Sequence, residues 1–334
     1  MSERAVLERL CRGPATARAL AAELLLDEPA VQASLARLGE AGAPIVESAD
    51  GAFTLVEPLH LLDGEKILRD LDEAVRGQVR SISVAFDTTS TQADALAAPV
   101  PQDGCAIFLA ERQTHGQGRR GRTWESPLAA NLYMSVSRRF ATGLSALSGL
   151  SLVAGVAVAE ALNARIPVAD HASGKVGSSS TRIGVKWPND LVADGRKLGG
   201  ILVQLRADAA AGVQAVIGIG INVRMPASRA ANIDQAWCDL HQLGAGAVSR
   251  TELATALLDH LLPALDQFEQ QGLAPFMPRW HRLDSLFGRS VRILDGPQIH
   301  EGTSLGIAES GALRVRQGGH ERLFHSGDVS LRPA

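Results

Sequence analysis

Two segments of the chain combine residue types that bind anions. The first is Lys186-Trp187-Pro188-Asn189-Asp190, followed seven residues after its aspartate by Lys197 in Arg196-Lys197-Leu198-Gly199-Gly200. It places a carboxylate, a carboxamide and two ammonium groups within a dozen residues, where Pro188 prevents a helix from continuing. The apolar ring of Trp187 would shield these charges from water, so that they interact more strongly with a bound anion. The segment therefore predicts a site that holds an anion and a metal ion together.

The second segment is Gly116-Gln117-Gly118-Arg119-Arg120-Gly121-Arg122-Thr123-Trp124, with three guanidinium groups on a backbone that three glycines leave free to bend. Its glycines satisfy the Gly-x-Gly-x-x-Gly pattern of dinucleotide-binding sites. That site needs a helix directly after the glycines, whereas Trp124, Pro127 and a strand-like run follow here. We therefore interpret the segment as a flap whose arginines close on a phosphate, since guanidinium groups offer paired donors to phosphoryl oxygens.

Two shorter segments offer polar groups beside an accessible backbone. Gly218-Ile219-Gly220-Ile221-Asn222 ends an apolar strand, and its glycines would let a planar ligand approach the backbone. The carboxamide of Asn222 both donates and accepts, as recognition of a purine edge requires. Thr88-Thr89-Ser90-Thr91-Gln92 supplies hydroxyls and an amide just before a predicted helix. Both segments are candidate ligand contacts.

Each of these segments also has a purely structural interpretation. The charges around Asp190 could form a surface ion pair, which contributes little to stability. The arginine flap could be a solvated turn, the glycines before Asn222 could mark a bulge, and Ser90 could serve only as a helix cap. The occurrence of the first two segments in one chain favours a phosphate-handling enzyme.

The period of the apolar residues predicts the elements that position these segments. Strands are predicted at residues 81–86, 106–110, 132–136, 182–186, 197–204 and 214–223. Helices are predicted at residues 92–98, 144–164 and 251–271. Because the strands lie close together and are joined by short turns, we predict a mixed sheet packed on helices, which is an α+β catalytic domain. The Gly- and Ser-rich stretch 172–181 is predicted to be a mobile surface insertion.

The first sixty residues form a separate pattern. Three short helices, at residues 5–10, 16–24 and 29–41, precede a hairpin of residues 44–48 and 53–56. The Asp-Gly pair at 50–51 favours the tight turn of that hairpin. Three helices and a two-stranded ribbon are the outline of a winged helix-turn-helix domain. The alternative is a small helical regulatory or oligomerisation module.

Charge weighs against DNA binding by this module. Residues 1–60 contain five arginines and no lysine against nine acidic side chains. Asp27 and Glu28 begin the helix that would enter the major groove, and Arg37 is the one cation on that helix. Operator affinity normally requires several neutralised phosphates. DNA binding and a purely regulatory role therefore both remain open from the sequence.

After Pro278 short alternating runs predict a small β-barrel, with strands at residues 291–294, 302–307, 312–315 and 322–325. A chain of 334 residues also exceeds what a single hydrophobic core usually serves. We therefore predict three domains, at residues 1–62, 63–274 and 275–334.

Composition indicates a cytoplasmic protein. The formal net charge of -3 argues against a broad basic surface, and the three cysteines lack the spacing of a zinc or redox site. No charged-then-apolar leader opens the chain, so we expect no secretion. The apolar run 144–162 is rich in small residues and serine, and we predict a buried core helix and no membrane association.

The order of the motifs resembles that of the biotin protein ligases, in particular the bifunctional BirA type, which carries an N-terminal repressor domain. The matching motifs are Ser90-Thr91-Gln92, Gly116-x-Gly118-Arg119-Arg120-Gly121-Arg122-x-Trp124, Lys186-Trp187-Pro188-Asn189-Asp190, Arg196-Lys197-Leu198-x-Gly200 and Gly218-x-Gly220-x-Asn222. The resemblance spans essentially the whole chain, including Arg279-Trp280 and Arg289. It implies a class II synthetase-like central domain and an SH3-like C-terminal barrel.

The resemblance implies a two-step reaction with biotin, ATP and Mg²⁺. The biotin carboxylate attacks the α-phosphate of ATP and gives biotinyl-5′-AMP and pyrophosphate. A lysine of the biotin carboxyl carrier protein domain of a carboxylase then attacks the mixed anhydride. The resemblance also implies operator DNA as a second partner and a homodimer that forms on adenylate binding. The alternative is an N-terminal domain that does not bind DNA and only tunes ligase activity.

The resemblance further implies roles for individual residues. Biotin contacts are expected from Ser90, Thr91, Gln92, Gln113, Gly116, Gln117, Gly118, Arg119, Trp124, Lys197 and Gly200. Nucleotide contacts are expected from Arg119, Arg122, Trp124, Asn189, Asn222 and Arg289. Lys197 would bridge the biotin carbonyl and the α-phosphate, with Lys186, Arg119 and Arg122 as the other catalytic cations. Asp190 would help to hold Mg²⁺.

Two residues depart from the pattern of the family. Gln117 stands where the family usually has arginine, so the flap carries one fewer cation and closure on the adenylate is expected to be weaker. Gln92 replaces the commoner asparagine and keeps the amide with one more methylene. The Arg-Arg-x-Ser-Gly-Gly-Gly loop typical of the related lipoate ligases is absent from the sequence.

Overall fold

The computed structural model describes residues 2–56, 58–165, 182–208, 212–226, 229, 233–246, 248–295, 298–325 and 329–333. The stretch 172–181, predicted to be a mobile insertion, lies outside these residues.

The N-terminal module contains the three helices and the hairpin that the sequence predicts. The helices are α1 (Ser2–Leu10), α2 (Ala17–Leu24) and α3 (Glu28–Glu40). The strands are β1 (Ala15–Thr16), β2 (Ile45–Glu47) and β3 (Ala52–Leu55), which form an antiparallel sheet in the order β1-β3-β2. The side chains of Thr16 and Asp27 accept hydrogen bonds from the first turns of α2 and α3, which explains where these helices begin.

The core of this module extends into the central region. Val6, Leu20 and Val31 are fully buried, one from each helix. Leu128, from the loop that precedes the third strand of the central sheet, belongs to the same buried cluster. The backbone amide of Leu128 donates to the carbonyl of Ala41 over 2.9 Å, so the module is joined to the central region by both apolar packing and a hydrogen bond.

The central region is built on a seven-stranded mixed sheet with the order β4-β5-β6-β10-β9-β8-β7. Its strands are β4 (Val79–Thr88), β5 (Cys105–Gln113), β6 (Leu132–Phe140), β7 (Gly184–Lys186), β8 (Asp190–Ala193), β9 (Arg196–Asp208) and β10 (Gly212–Ile221). Only β4 and β5 run parallel, and the other neighbours are antiparallel. The predicted mixed sheet is therefore confirmed. The sequence did not separate β8, because four residues between two turns are too few to show a period.

Helices cover the sheet. They are α4 (Gly64–Asp70), α5 (Glu73–Arg76), α6 (Thr91–Ala97), α7 (Leu150–Arg165), α8 (Arg250–Gln271) and α9 (Met277–Leu283). Among the described residues, the segment Leu144–Arg165 is long and apolar enough to cross a membrane, yet 61% of its most apolar stretch is buried inside the molecule. The segment packs against α8 as a core helix. It begins later than predicted, because Gly149 takes a positive φ of 112° and separates a 3₁₀ turn from α7.

The C-terminal region is a five-stranded antiparallel sheet with the order β14-β13-β12-β11-β15. Its strands are β11 (Ser290–Asp295), β12 (Gln298–Ile307), β13 (Leu313–Gln317), β14 (His320–Phe324) and β15 (Val329–Pro333). The first four were predicted, and β15 was not. Helix α9 lies after the predicted boundary at residue 275 and contacts both α7 and β12. The domain boundaries therefore stay a prediction.

Candidate active site

The two charged segments line one cavity of about 540 Å³, which we call the main cavity. It lies between the flap and the face of the central sheet formed by β6, β9 and β10. The predicted site residues that line it are Ser90, Thr91, Gln92, Gln113, Gln117, Gly118, Arg119, Arg122, Trp124, Lys186, Asn189, Asp190, Lys197 and Gly200. Residues that lie more than a hundred positions apart in the chain are thus brought together.

Asp190 and two lysines form the charged wall of the main cavity. Lys197 Nζ lies 2.7 Å from Asp190 Oδ1, and Lys186 Nζ lies 3.4 Å from Asp190 Oδ2. The three side chains are between 15% and 20% exposed, so solvent screens them less than it would on an open surface. Because one carboxylate serves two ammonium groups, the cluster carries an excess positive charge. Such a cluster attracts an anion.

The turn at Asn189 holds these charges and also meets the flap. The backbone carbonyl of Asn189 accepts from Ile201, while its Nδ2 donates to the carbonyl of Ile201 over 2.8 Å. Its Oδ1 accepts from Arg119 Nη1 over 3.2 Å. The side-chain amide is therefore shared between β9 and the flap. This contact would be impossible if the two segments lay on opposite sides of the molecule.

The flap is a short hairpin. Gly118 N donates to the carbonyl of Arg122 over 2.7 Å, and Trp124 N donates to the carbonyl of Gly116 over 2.8 Å. At its tip Arg120 has a left-handed φ of 58° and Gly121 a φ of 72°, which closes the turn. Burial of Arg119 lowers the pKa of its guanidinium, the neighbouring Arg120 and Arg122 lower it further, and Asp190 opposes the shift. A bound anion would stabilise the charged form of this half-buried guanidinium, which also donates to Asn189.

The indole of Trp124 covers a pair of glycines that face each other on β9 and β10. Gly200 and Gly220 are cross-strand partners. A Cβ atom at Gly220 would lie 2.7 Å from Trp124 Cε2, and a Cβ atom at Gly200 would lie 3.6 Å from Trp124 Cζ3. The ring therefore occupies space that only the missing side chain of Gly220 provides. Lys197 Nζ lies 5.5 Å from the centre of this ring, within range of a cation–π contact.

The opposite end of the main cavity is polar and nearly uncharged. Thr91 N donates to Gln113 Oε1 over 2.9 Å, and Thr91 Oγ1 lies 2.8 Å from the hydroxyl of Ser135. Gln113 Nε2 donates to Ser126 Oγ over 2.9 Å. Ser90 caps α6 by accepting from Gln92 N, as the structural interpretation of the sequence predicted. The cap does not exclude a ligand contact, because the Ser90 hydroxyl retains its proton.

Sequence reasoning missed Ser135 and Ser126. Ser135 lies on β6 between buried apolar residues, and an isolated serine in an apolar strand gave no signal of a site. Ser126 follows the flap motif by two residues and donates to the carbonyl of Trp124. Both were recognisable only after β6 and the flap had been brought to α6.

Three predicted residues lie outside the main cavity. Asn222 lines an adjoining cavity of about 280 Å³ together with Trp124, Lys197 and Trp237. Gly116 lies behind the flap, where a Cβ atom would collide with the carbonyl of Trp124. Arg289 is exposed just before β11 and is not among the described residues that line either cavity. Their expected roles remain predictions.

Known proteins share this combination of segments. Residues 87–222 match the model of the biotin/lipoate A/B protein ligase family, and residues 286–332 match the biotin protein ligase C terminal domain. The chain is 37% identical over 309 residues to the bifunctional ligase/repressor BirA of Escherichia coli, which covers 92% of this chain and 90% of that protein. The chain belongs to the biotin protein ligase family. It is an ATP-dependent biotin protein ligase.

Two further relatives support the assignment of this ligase. The biotin–[acetyl-CoA-carboxylase] ligase of Mycobacterium tuberculosis is 32% identical over 271 residues, which cover 79% of this chain and 94% of that protein. The structure of the biotin protein ligase from Aquifex aeolicus in complex with biotin and ATP matches with a TM-score of 0.62 and 25% identity. It covers 76% of this chain and all of that chain. The resemblance drawn from the motifs is confirmed.

The acidic residues of the main cavity are few for a divalent metal site. Among the described residues no group of three histidine, cysteine or acidic side chains could hold a metal ion by itself. Asp190 is the buried carboxylate of the main cavity, and Asp234 is an exposed one at its edge. Mg²⁺ is usually bound by one or two carboxylates together with substrate phosphates. The residues therefore fit Mg²⁺ that enters with ATP and do not fit a permanently bound ion.

Proposed function

We propose that this ligase joins biotin to a lysine of a biotin carboxyl carrier domain in two steps, through biotinyl-5′-AMP. The observation that carries this proposal is the contact between Arg119 and Asn189, because it joins the flap and the lysine cluster over one cavity. A flap closed over the cavity would protect the acyl adenylate from water until the acceptor amine arrives.

In the first step the biotin carboxylate attacks the α-phosphorus of ATP, the bond to the β-phosphate breaks, and pyrophosphate leaves. Lys197 would bind between the biotin carboxyl oxygen and the α-phosphate and stabilise the charge that develops there. Arg119, Arg122 and Lys186 would bind phosphate oxygens. The positions of Arg119 and Lys186 support this role, since cations that are already positioned and partly desolvated need little reorganisation in the transition state. Arg122 is exposed at the edge of the cavity.

Biotin would lie with its ring system at the polar end of the cavity. Ser90, Thr91 and Gln113 would bind the ureido group, and Trp124 would flank the ligand. The side chain of Gln92 is engaged in the protein, as described below, so its contribution would be through its neighbours. The backbone of Gln117, Gly118 and Gly200 would approach the ligand closely, and glycine at the last two positions leaves room for it. Gly116 lies behind the flap, so its contribution would be to the shape of the flap.

ATP would lie across the remaining part of the main cavity and the adjoining one. Asn222 would meet the adenine, although Asn222 Nδ2 already donates to the carbonyl of Cys238 over 3.1 Å, so its Oδ1 is the atom to expect in that contact. Asn189 and Trp124 would lie near the nucleotide, and Arg289 would have to move to reach it. Asp190 would help to hold Mg²⁺, which would neutralise charge on the phosphates when bound.

In the second step the neutral amine of an acceptor lysine attacks the acyl carbon of the adenylate. The amide bond forms, the bond to the phosphate oxygen breaks, AMP leaves and the amine gives up a proton. No side chain needs to form a covalent intermediate. The task of the ligase is therefore positioning and charge stabilisation.

Mass spectrometry provides the direct test of this proposal. Protein incubated with biotin and MgATP should carry a tightly held, non-covalent adduct of the mass of biotinyl-5′-AMP, observable under native conditions and lost on denaturation. Incubation with biotin or MgATP alone is the control. Absence of the adduct, together with no biotin-dependent pyrophosphate release, would contradict the proposed reaction.

A second proposal concerns the N-terminal module, which we infer to be a winged helix-turn-helix that represses transcription as an adenylate-bound homodimer. The supporting observation is that similarity to the bifunctional ligase/repressor of Escherichia coli extends over 92% of this chain. Its charges oppose the role, because Arg4, Arg9 and Arg37 are each ion-paired with a glutamate of the module. A cation already paired neutralises a phosphate less well.

The alternative is that the module only tunes ligase activity. Its contact with Leu128 lies four residues after Trp124, and Gly42 lies against Pro127 in the same loop. The loop also contains Ser126, which binds Gln113 and the carbonyl of Trp124. In this alternative the module stabilises the position of the flap through this loop and does not bind DNA.

The two roles predict different results for removal of residues 1–57. If the module braces the loop, the KM for biotin should rise roughly three- to tenfold while the KM for ATP changes little, which steady-state pyrophosphate release would measure. Intact protein should then give no retardation of the organism's own biotin promoter at low salt, with or without biotinyl-5′-AMP. Adenylate-dependent retardation would instead support the repressor.

We further propose a cytoplasmic location for this ligase.

A further inference from the structure

A directed hydrogen-bond network lies behind the polar end of the main cavity. Its starting point is Gln92, which is 3% exposed. Gln92 Nε2 lies 3.1 Å from the carbonyl oxygen of Val216 and 3.4 Å from that of Leu202. Because carbonyl oxygens only accept, the nitrogen of the amide must face the strands β9 and β10, and the Oε1 atom must face the other way.

Gln92 Oε1 accepts a hydrogen bond from a serine hydroxyl. Ser135 Oγ, which is fully buried, lies 3.2 Å from Gln92 Oε1 and 2.8 Å from Thr91 Oγ1. Each hydroxyl has one proton to donate. If Ser135 donates to Gln92, then Thr91 donates to Ser135. If Ser135 donated to Thr91 instead, Gln92 Oε1 would lose the hydroxyl proton that it accepts, which is unfavourable for a buried polar atom.

The arrangement in which Ser135 donates to Gln92 is therefore favoured, and it decides what a ligand meets. The proton of Thr91 is used inside the protein, so Thr91 Oγ1 presents only lone pairs to the cavity. Gln113 Oε1 also acts as an acceptor, because Gln113 Nε2 is turned towards Ser126. Ser90 has the opposite character, since its oxygen accepts from Gln92 N and its proton is available. The protein thus offers acceptors next to one donor.

We propose that Gln92 and Ser135 are positioning residues that make Thr91 an obligate acceptor and thereby require a ring N–H in the substrate. The inference rests on the proposed binding of biotin at this end of the cavity. A cyclic urea matches the arrangement, because its N–H groups flank a carbonyl oxygen. A ring oxygen in place of the N–H would face Thr91 Oγ1 with two acceptors in contact, which a buried polar site rejects strongly.

The test compares biotin with its cyclic carbamate analogue, in which the ring N–H that faces Thr91 is replaced by oxygen. Wild-type ligase should prefer biotin by roughly a thousandfold or more in kcat/KM for pyrophosphate release. In Ser135→Ala the proton of Thr91 loses its nearer acceptor, and a ligand oxygen can then compete for it with the more distant Gln113 Oε1. The preference should fall about tenfold, with a higher KM for biotin and an unchanged KM for ATP.

Ser137→Ala is the matched control. Ser137 lies two residues further along β6 on the same face, is 1% exposed, and accepts from Gln214 Nε2 over 3.2 Å outside the cavity. The substitution removes an equally buried hydroxyl, so it should leave the preference for biotin at the wild-type value. Ser135→Cys keeps the volume of the side chain with a poor acceptor, and should lower the preference in the same direction even if the alanine variant folds badly.

The outcomes separate the two hypotheses. If wild-type protein releases no pyrophosphate with biotin, the proposed ligase reaction and this inference are both contradicted. If wild-type protein activates biotin but Ser135→Ala and Ser135→Cys both keep the full preference over the carbamate, only the inference is overturned. An equal loss of preference in Ser137→Ala would also overturn it, because the effect would then come from general damage to β6.

Discussion

Replacement of Lys197 with alanine should lower the rate of adenylate formation by roughly a hundred- to a thousandfold, the loss typical for one preorganised charge-stabilising donor. Lys197 is the closer of the two ammonium groups on Asp190 and also lies beside Trp124. Without Lys197 the transition state would lose the cation that lies between the biotin carboxyl oxygen and the α-phosphate. Biotin-dependent exchange of labelled pyrophosphate into ATP measures this step directly.

The control for this prediction is Arg196→Ala. Arg196 precedes Lys197 on β9, but its guanidinium is exposed and donates to Gln242 over 3.2 Å. The variant therefore removes one positive charge from the same strand without touching the cavity, and exchange should stay within about twofold of wild type because exposed charges are screened. Normal pyrophosphate exchange in Lys197→Ala would refute the role of this lysine.

Replacement of Gly220 with alanine should weaken binding of biotin and of the adenylate by roughly tenfold to a hundredfold. The new methyl group would lie 2.7 to 2.8 Å from three atoms of the Trp124 indole. An aromatic ring cannot bend away, so the whole side chain must shift and with it the end of the flap. Binding of biotin by calorimetry, and the dissociation rate of the adenylate, would detect the change.

Gly200→Ala is the graded comparison, because Gly200 faces Gly220 across the same strand pair. Its methyl group would lie 3.6 Å from both Trp124 Cζ3 and Lys197 Cε, which is ordinary van der Waals contact. We expect an effect of less than about threefold. If Gly220→Ala binds biotin as tightly as Gly200→Ala, then biotin binding does not depend on the space that Gly220 leaves for Trp124.

The sequence predicted the periodic elements well and the short ones poorly. Strands β4 to β6, β9 and β10 and helix α8 were found because long apolar patterns repeat with a clear period. Strand β8 has four residues that do not alternate, and the alternation in β15 is limited to Val329 and Leu331, so both patterns are too short to identify a strand. The late start of the helix predicted to begin at residue 144 had a local cause, the positive φ of Gly149.

The main cavity shows the same division. The charged segments could be recognised because arginine, lysine and aspartate are conspicuous beside glycine and proline, and both segments line the cavity. Ser135 of the main cavity, Ser126 behind the flap and Trp237 of the adjoining cavity could not be recognised, because serine and tryptophan occur in many strands and loops without any role in a site. Only their contacts mark them as site residues. The contact between Thr91 of α6 and Ser135 of β6, for example, joins residues that are 44 positions apart in the sequence.

The sequence by itself determined which chemical groups the protein has for an acyl adenylate: the guanidinium groups of the flap, the lysines around Asp190 and the hydroxyls before α6. Residue type and spacing are local properties, so the sequence alone is enough to identify them. Only the tertiary structure decided that Arg119 meets Asn189, that Trp124 covers Gly220, and that the hydroxyl of Thr91 lies beside that of Ser135. These depend on how β6, β9 and β10 lie side by side, which is fixed by burial of the whole core and by no single segment.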